Sequence, residues 1–302
     1  MVEKQLTACT ASEYSSLSRS DFLQAIKENE GRTLMCECSA DAPLYLPEGI
    51  SNAELLAGMG SDLLILNHYD VTAPLINGIT ADEENNLVKE AGRLTGRPAG
   101  IRLQAIPDKA PMRKTYPCPP GQEASPAAAV KAIAQGFRIL MVLADAKTGR
   151  DTLSVNNCLK ELKKACGDRI ILAVGKLHAD SYADEDAILS IDEINGFANN
   201  GADLIVLPAP GTIPCAGTEW AASRIRQIHY RKKLAVTAVN EEGLNADSET
   251  LRMIARQSKL AGSDLHYLLC GRIGDPEAVR SYSIALKGYR NTCFRTCASI
   301  NR

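Results

Sequence analysis

Apolar residues fall along this chain in short unbroken runs that recur behind a common punctuation. Gly60-Ser61-Asp62 leads into Leu63-Leu64-Ile65-Leu66, Gly201-Ala202-Asp203 into Leu204-Ile205-Val206-Leu207, and Gly262-Ser263-Asp264 into Leu265-His266-Tyr267-Leu268. Gly136-Phe137-Arg138 before Ile139 is a weaker copy. Each glycine follows a helix-patterned stretch and supplies the left-handed residue that ends a helix. An apolar run of this length without alternation fits a parallel strand covered on both faces. Completing the pattern predicts strands at 33–38, 62–68, 99–104, 138–144, 170–176, 203–208, 234–240 and 264–270. Helical patterns follow them at 52–58, 82–94, 125–135, 153–166, 187–199, 218–232, 248–261 and 276–287. Strand starts lie about 30 to 40 residues apart, the length of a strand–helix unit. Ser125-Pro126 and Asp275-Pro276 read as an N-cap followed by proline in the first turn. This alternation predicts a single α/β domain over 1–302, a (β/α)8 TIM barrel. Residues 1–30 form an N-terminal extension and helix that cover the barrel bottom or pack on a neighbour, and 289–302 form a short C-terminal tail. The competing doubly wound sheet would carry a G-x-G-x-x-G turn after its first strand, and the chain has none there.

Charge changes the picture by exclusion. With 34 basic and 36 acidic residues the chain carries a net charge of -2, and a nucleic-acid partner would call for a basic stripe. The nearest approach is Arg290, Arg295 and Arg302, which reads as a solvated or interface tail. No apolar run approaches a membrane span, and no apolar segment of signal-peptide type stands at the N-terminus, so no membrane partner and a cytoplasmic location are expected. The 10 cysteines then read as reduced thiols. Cys36 and Cys38 share one strand face and Cys293 and Cys297 have helical spacing, which makes no four-ligand zinc set. Residues 106–125, rich in proline, interrupt the regular spacing. They read as a lid or specificity loop, or as a surface or homo-oligomer contact.

In a TIM barrel the chemistry belongs at the C-terminal ends of the strands. Lys176 and His178 end the fifth strand on one side. If that side faces inward, Lys176 pairs an anion or acts as a base or Schiff-base nucleophile, and His178 transfers protons. Otherwise Lys176 neutralises Glu37 and His178 caps a loop. Glu37, in a strand otherwise of Thr, Leu, Met and Cys, is a general base, a metal ligand, or a structural partner of Lys176 or Arg102. Arg102 and Gln104 lie on one side of the third strand; if that side faces inward Arg102 clamps an anion, and otherwise they sit at a helix interface. Asn67, Gln104, Thr148 and Asn240 complete a substrate-binding ring. Gly211 with Thr212, and Gly271 with Gly274, would bind phosphate through backbone N–H groups, unless they are simple turns. No cofactor is demanded, though Glu37 or Asp70 could hold Mg2+.

Cys9-Thr10-Ala11-Ser12, Glu30-Gly31-Arg32-Thr33, Gly49-Ile50-Ser51-Asn52-Ala53-Glu54, Gly175-Lys176-Leu177-His178, Leu207-Pro208-Ala209 with Gly211-Thr212, and Ser283-Ile284-Ala285-Leu286-Lys287-Gly288 together resemble a bacterial TIM-barrel group. Its members are labelled phosphoenolpyruvate phosphonomutase-like or haloacid dehalogenase-like, and their genes often accompany sugar phosphotransferase systems. The resemblance covers nearly the whole chain and brings no established reaction. Members carry Asn and Glu where this chain has Arg102 and Gln104. They carry a Gly-Asp-Ala-Gly-like turn where it has Cys270-Gly271-Arg272-Ile273-Gly274, and a Gly-Thr-Ser-like turn where it has Asn240-Glu241-Glu242. A phosphonomutase has a carboxylate-rich Mg2+ site and a mobile cysteine-bearing loop. Cys118 lies in the proline-rich segment here, without matching sequence around it. The expectation is an enzyme on a small anionic substrate, phosphorylated or carboxylated, by lyase, aldolase-like or isomerase chemistry. The alternative is a non-catalytic barrel that senses a sugar phosphate or scaffolds a partner.

Overall fold

The computed structural model describes residues 5–47, 49–82, 86–107, 114–115, 117–145, 148–178, 188–271 and 275–297. Its strands are β1 (Thr33–Ser39), β2 (Leu63–Asn67), β3 (Ala99–Leu103), β4 (Ile139–Ala144), β5 (Ile171–Lys176), β6 (Leu204–Pro208), β7 (Leu234–Val239) and β8 (Leu265–Leu269). They pair in parallel, each with its sequence neighbours, and β8 closes on β1. The fold is a closed TIM barrel, as the repeat predicts. The helices are α1 (Ala11–Ser16), α2 (Arg19–Glu28), α3 (Asn52–Gly58), α4 (Leu87–Thr95), α5 (Pro126–Gln135), α6 (Thr152–Cys166), α7 (Ile191–Asn199), α8 (Thr218–Tyr230), a short α9 (Glu241–Leu244), α10 (Ser248–Leu260) and α11 (Pro276–Cys297). Among the described residues no helix is long and apolar enough to cross a membrane.

Two apolar layers follow from the strand period of two. The inner layer fills the barrel with residues such as Met35, Ile65, Met141, Ala173, Val206 and Val236, and it continues into Leu6, Tyr14, Phe22 and Ile26 of the N-terminal segment. That segment therefore plugs the bottom of the barrel. The outer layer, with Leu64, Val142, Leu172, Val174 and Ile205, packs under the helices.

The Gly-x-Asp repeat builds the base of the barrel. Gly60, Gly201 and Gly262 have φ of 108°, 104° and 100°, so each turns the chain from helix to strand in a region that favours glycine. The aspartate two residues on then grips the preceding strand. Its carboxylate accepts from a backbone N–H: Asp62 from Leu34 at 2.9 Å, Asp203 from Leu172 at 3.0 Å, and Asp264 from Ala235 at 2.7 Å. Its own N–H donates to the carbonyl of that same residue, at 2.8, 2.8 and 3.0 Å. Each clamp also has a cationic partner or a histidine. Asp203 pairs with Arg19, Asp264 meets His229 Nε2 at 2.8 Å, and Asp62 meets Lys287 Nζ at 2.5 Å and Arg295 Nε at 3.0 Å.

The last pair corrects the reading of Arg295 as part of a solvated tail. Residues beyond Gly288, where α11 kinks, stay helical to Cys297. Arg295 is only 2% exposed; it donates to the Cys9 carbonyl at 2.9 Å and lies over the Tyr14 ring. The tail is thus pinned between the barrel base and the N-terminal segment. A buried carboxylate facing two buried cations is costly to remove, because both cations lose their counter-ion. Asp62→Ala is expected to lower unfolding stability in urea melts by about 3–5 kcal/mol. A loss below about 1 kcal/mol, the scale of an exposed pair, would contradict this role.

Candidate polar site at the barrel mouth

Inside the barrel, the residues that break the apolar layer come from β1, β2, β3 and β8. Glu37 is 2% exposed. Arg102 Nη1 donates to its two carboxylate oxygens at 2.9 and 3.2 Å, and Asn67 Nδ2 donates to Oε1 at 3.2 Å. The Tyr267 hydroxyl donates to Oε2. Burial works against the Arg102 charge, but Glu37 and then Tyr267 more than offset it, and the guanidinium is held charged. Burial first, and the Glu37 charge second, keep the Tyr267 phenol protonated far above its ordinary range. Arg102 keeps 21% of its side chain exposed, against 2% for Glu37. Gln104 is half-buried, and among the described residues its side-chain amide makes no hydrogen bond.

The structure thus brings together Glu37, Asn67 and Arg102, and it adds Tyr267. The tyrosine was legible as a residue, since it interrupts an apolar strand and a buried phenol needs a partner. The identity of that partner was not.

Other expected residues lie elsewhere. Lys176 shares the outward parity of Leu172 and Val174, whereas Ile171 and Ala173 face in. It is 3% exposed, and its Nζ lies 3.5 Å from Glu193 on α7, a carboxylate that also accepts from Thr152 Oγ1 at 2.5 Å and from the Ser190 N–H at 2.8 Å. The ammonium therefore links the barrel to the helix layer on the outward side of β5. Gly175 before it does not leave room for a substrate. A Cβ there would sit 2.1 Å from the Val206 carbonyl oxygen. His178 is exposed and joins neither Glu37 nor Arg102.

The remaining polar positions hold loops. Thr148 Oγ1 donates to the Asp145 carbonyl and carboxylate at 3.1 Å each. Asn240 Oδ1 accepts from the Gly243 N–H at 2.9 Å and fixes the start of α9. The Gly211 N–H donates to the Ala216 carbonyl at 2.8 Å and that of Thr212 to Ala209 at 3.2 Å. Both amides are spent inside the turn, which argues against a phosphate cradle there. Gly271 is buried and its carbonyl accepts from the Ser39 N–H at 3.2 Å. Gly274 lies outside the described residues, as do 108–113 and 116 of the suggested lid. Its later part is tied down, with Val71 N–H donating to the Gly121 carbonyl at 3.1 Å and Gln104 N–H to that of Gln122 at 2.8 Å. Cys118 in this part has its thiol pushed up by burial, which disfavours a thiolate.

Of the two candidate Mg2+ ligands, Glu37 does not fit a metal and Asp70 has one carboxylate oxygen engaged in its own loop. Both Glu37 oxygens are taken by Arg102, Asn67 and Tyr267. Asp70 Oδ1 accepts from the Thr72 N–H and hydroxyl and the Ala73 N–H. Among the described residues no three His, Cys, Asp or Glu side chains converge on one point.

Because Lys176 is buried on the outward side of β5 and paired with Glu193, borohydride reduction in the presence of 2-keto acids or sugar phosphates should leave it unmodified by mass spectrometry. A reduced adduct on Lys176, absent from Lys176→Met, would contradict the outward placement.

Several solved structures share the fold. A 2,3-dimethylmalate lyase, a PEP mutase/isocitrate lyase superfamily member, has a TM-score of 0.53 at 13% identity, over 88% of this chain and 83% of that one. A Coccidioides immitis protein assigned as a fructose-1,6-biphosphate aldolase has a TM-score of 0.50 at 12% identity, over 91% and 95%. At these identities the likeness concerns the fold alone. No curated protein matches the chain in sequence. A family model described as a domain of unknown function, DUF7916, matches residues 7–302, and the chain belongs to that family.

Proposed function

We propose that the barrel mouth binds a small metabolite bearing a carboxylate or phosphate, and that a proton is moved there next to a carbonyl, in lyase or isomerase chemistry. The observation that carries this reading is the Glu37–Arg102–Tyr267 triad, which joins a carboxylate, a guanidinium and a protonated phenol from three strands inside the barrel. Arg102 would receive the anion on the part of its guanidinium not turned to Glu37, and Gln104 would add amide donors. The single Tyr267 hydroxyl proton, given to Glu37 in the free protein, would turn toward the oxygen on which negative charge develops, and Glu37, released at that carboxylate oxygen, would take the proton removed beside the carbonyl. A Schiff base at Lys176 has no part in this scheme. The lyase and aldolase names among the similar folds agree in kind with this chemistry, though a shared fold assigns no reaction.

One observation favours a second reading. Glu37 is saturated by three partners, which suits a mouth that binds without turning over, as a sugar-phosphate sensor would. Titration calorimetry with a panel of 2-keto acids and sugar phosphates, together with NMR detection of solvent deuterium entering the bound compound, separates the two. Arg102→Lys, which keeps a charge facing Glu37, should weaken binding by about tenfold. Tyr267→Phe should bind normally and slow deuterium entry by about a hundredfold. Binding without any deuterium entry would favour the sensor. Binding indifferent to Arg102→Lys would overturn both readings of the mouth.

A further inference from the structure

At the opposite end of the barrel lies a cavity of 480 Å³ that the mouth chemistry does not use. Tyr14 of α1, Lys89 and Arg93 of α4, Arg97 and Pro98 ahead of β3, and Arg138 ahead of β4 contribute to its wall. Four of these side chains are cationic, and among the described lining residues there is no carboxylate. Arg93 is neutralised from outside the wall by Glu90, at 2.5 Å.

Arg97 is the fixed point. It is 6% exposed, and its guanidinium donates only to backbone carbonyls, of Ser61 at 2.8 Å, Gly96 at 3.2 Å and Arg295 at 2.6 Å. Behind it Lys287 and Arg295 share Asp62. This buried cluster therefore sets three cations against one carboxylate. Arg295 Nη2, also buried, has no hydrogen-bond partner among the described residues. Burial, and next the charge of Arg295, push the Arg97 guanidinium down to about 10. Uncompensated positive charge of this kind, under a cavity with low-dielectric walls, focuses its field on an entering anion.

Apart from Ser12, the rest of the wall is apolar or glycine. Val88, Pro98 and Ala99 lie beside Gly92, Gly96 and Gly136. A volume of several hundred cubic ångströms with a few convergent charged groups is the usual form of a small-molecule site. We infer that this cavity binds a small organic anion, with a doubly charged phosphate or carboxylate end against Arg97, Arg138 and Lys89 and a flat apolar body on the glycine-rich wall. Such a ligand would bridge the N-terminal segment to α4 and the starts of β3 and β4. It would thereby act on the fold from the end opposite the mouth.

The probe is phenyl phosphate, titrated calorimetrically into the full chain, with inorganic phosphate and phenol as the separate halves. Two variants test the location. Lys89 is exposed, so Lys89→Glu reverses a rim charge without touching the core. Gly92 is helical, and a Cβ there would meet nothing nearer than the Arg97 carbonyl oxygen at 3.7 Å. Gly92→Leu therefore fills the cavity while favouring the helix. Phenyl phosphate should bind more tightly than either half. Its affinity should drop by about tenfold in Lys89→Glu and be lost in Gly92→Leu, whose melting temperature does not fall. Arg102→Lys, at the mouth, should leave unchanged the binding that Gly92→Leu abolishes. No binding of phenyl phosphate, binding indifferent to both cavity variants, or binding lost only in Arg102→Lys would each overturn the inference.

Discussion

The strands of this barrel are apolar on both faces, so their sequences alone leave the sliding register open. The reciprocal grip of Asp62, Asp203 and Asp264 on the backbones of Leu34, Leu172 and Ala235 closes it at three of the eight strand pairs, β1–β2, β5–β6 and β7–β8. Each aspartate both accepts from and donates to one residue of the preceding strand, which ties that strand's start to its neighbour's. A slip by one residue would exchange every inward side chain for an outward one. The clamps at the base therefore govern which residues reach the mouth at the other end. With the observed register, Glu37, Arg102 and Tyr267 point into the barrel and Lys176 and His266 point into the helix layer. His266 shows the outward environment plainly: its Nδ1 lies 2.9 Å from the Tyr282 hydroxyl, and burial pushes its imidazole down to about 3, so it remains neutral.

The two ends of the barrel handle buried charge differently. In the mouth one carboxylate meets one guanidinium, with an amide and a phenol to complete its hydrogen bonds, and the balance is neutral. At the base the clamp aspartate is outnumbered, and part of the excess charge is carried by the α11 extension and part by Arg97. A neutral, satisfied network is rigid and can present a preorganised donor to a substrate. An outnumbered carboxylate leaves a standing field. The proposed mouth chemistry rests on the first property and the proposed anion cavity on the second.

The fold was legible because the Gly-x-Asp punctuation is local. Each predicted strand matches its observed counterpart to within one residue at either end. The site was legible only in part, because parity is not local. Glu37, Asn67 and Arg102 stood out as polar residues in apolar strands, and they do converge. Lys176 stood out for the same reason and faces the other way. An apolar run such as Ile171 to Val174 has no alternation to show which side is inward. Only the fold shows the parity, with Ile171 and Ala173 inside and Leu172 and Val174, and with them Lys176, outside. Arg295 was misread because its partner Asp62 is remote in sequence. Gly211 and Thr212 were misread because the carbonyls that take their N–H groups, of Ala216 and Ala209, belong to an irregular turn that no period announces.

If the mouth triad is the functional site, its guanidinium is where an anionic metabolite must come to rest. The most direct measurement is a crystal structure of the protein soaked with mixed 2-keto acids and sugar phosphates. A carboxylate or phosphate is expected within hydrogen-bonding distance of Arg102, with the Tyr267 hydroxyl facing the bound molecule. An anion bound elsewhere in the mouth, with Arg102 still engaged only by Glu37, would contradict it.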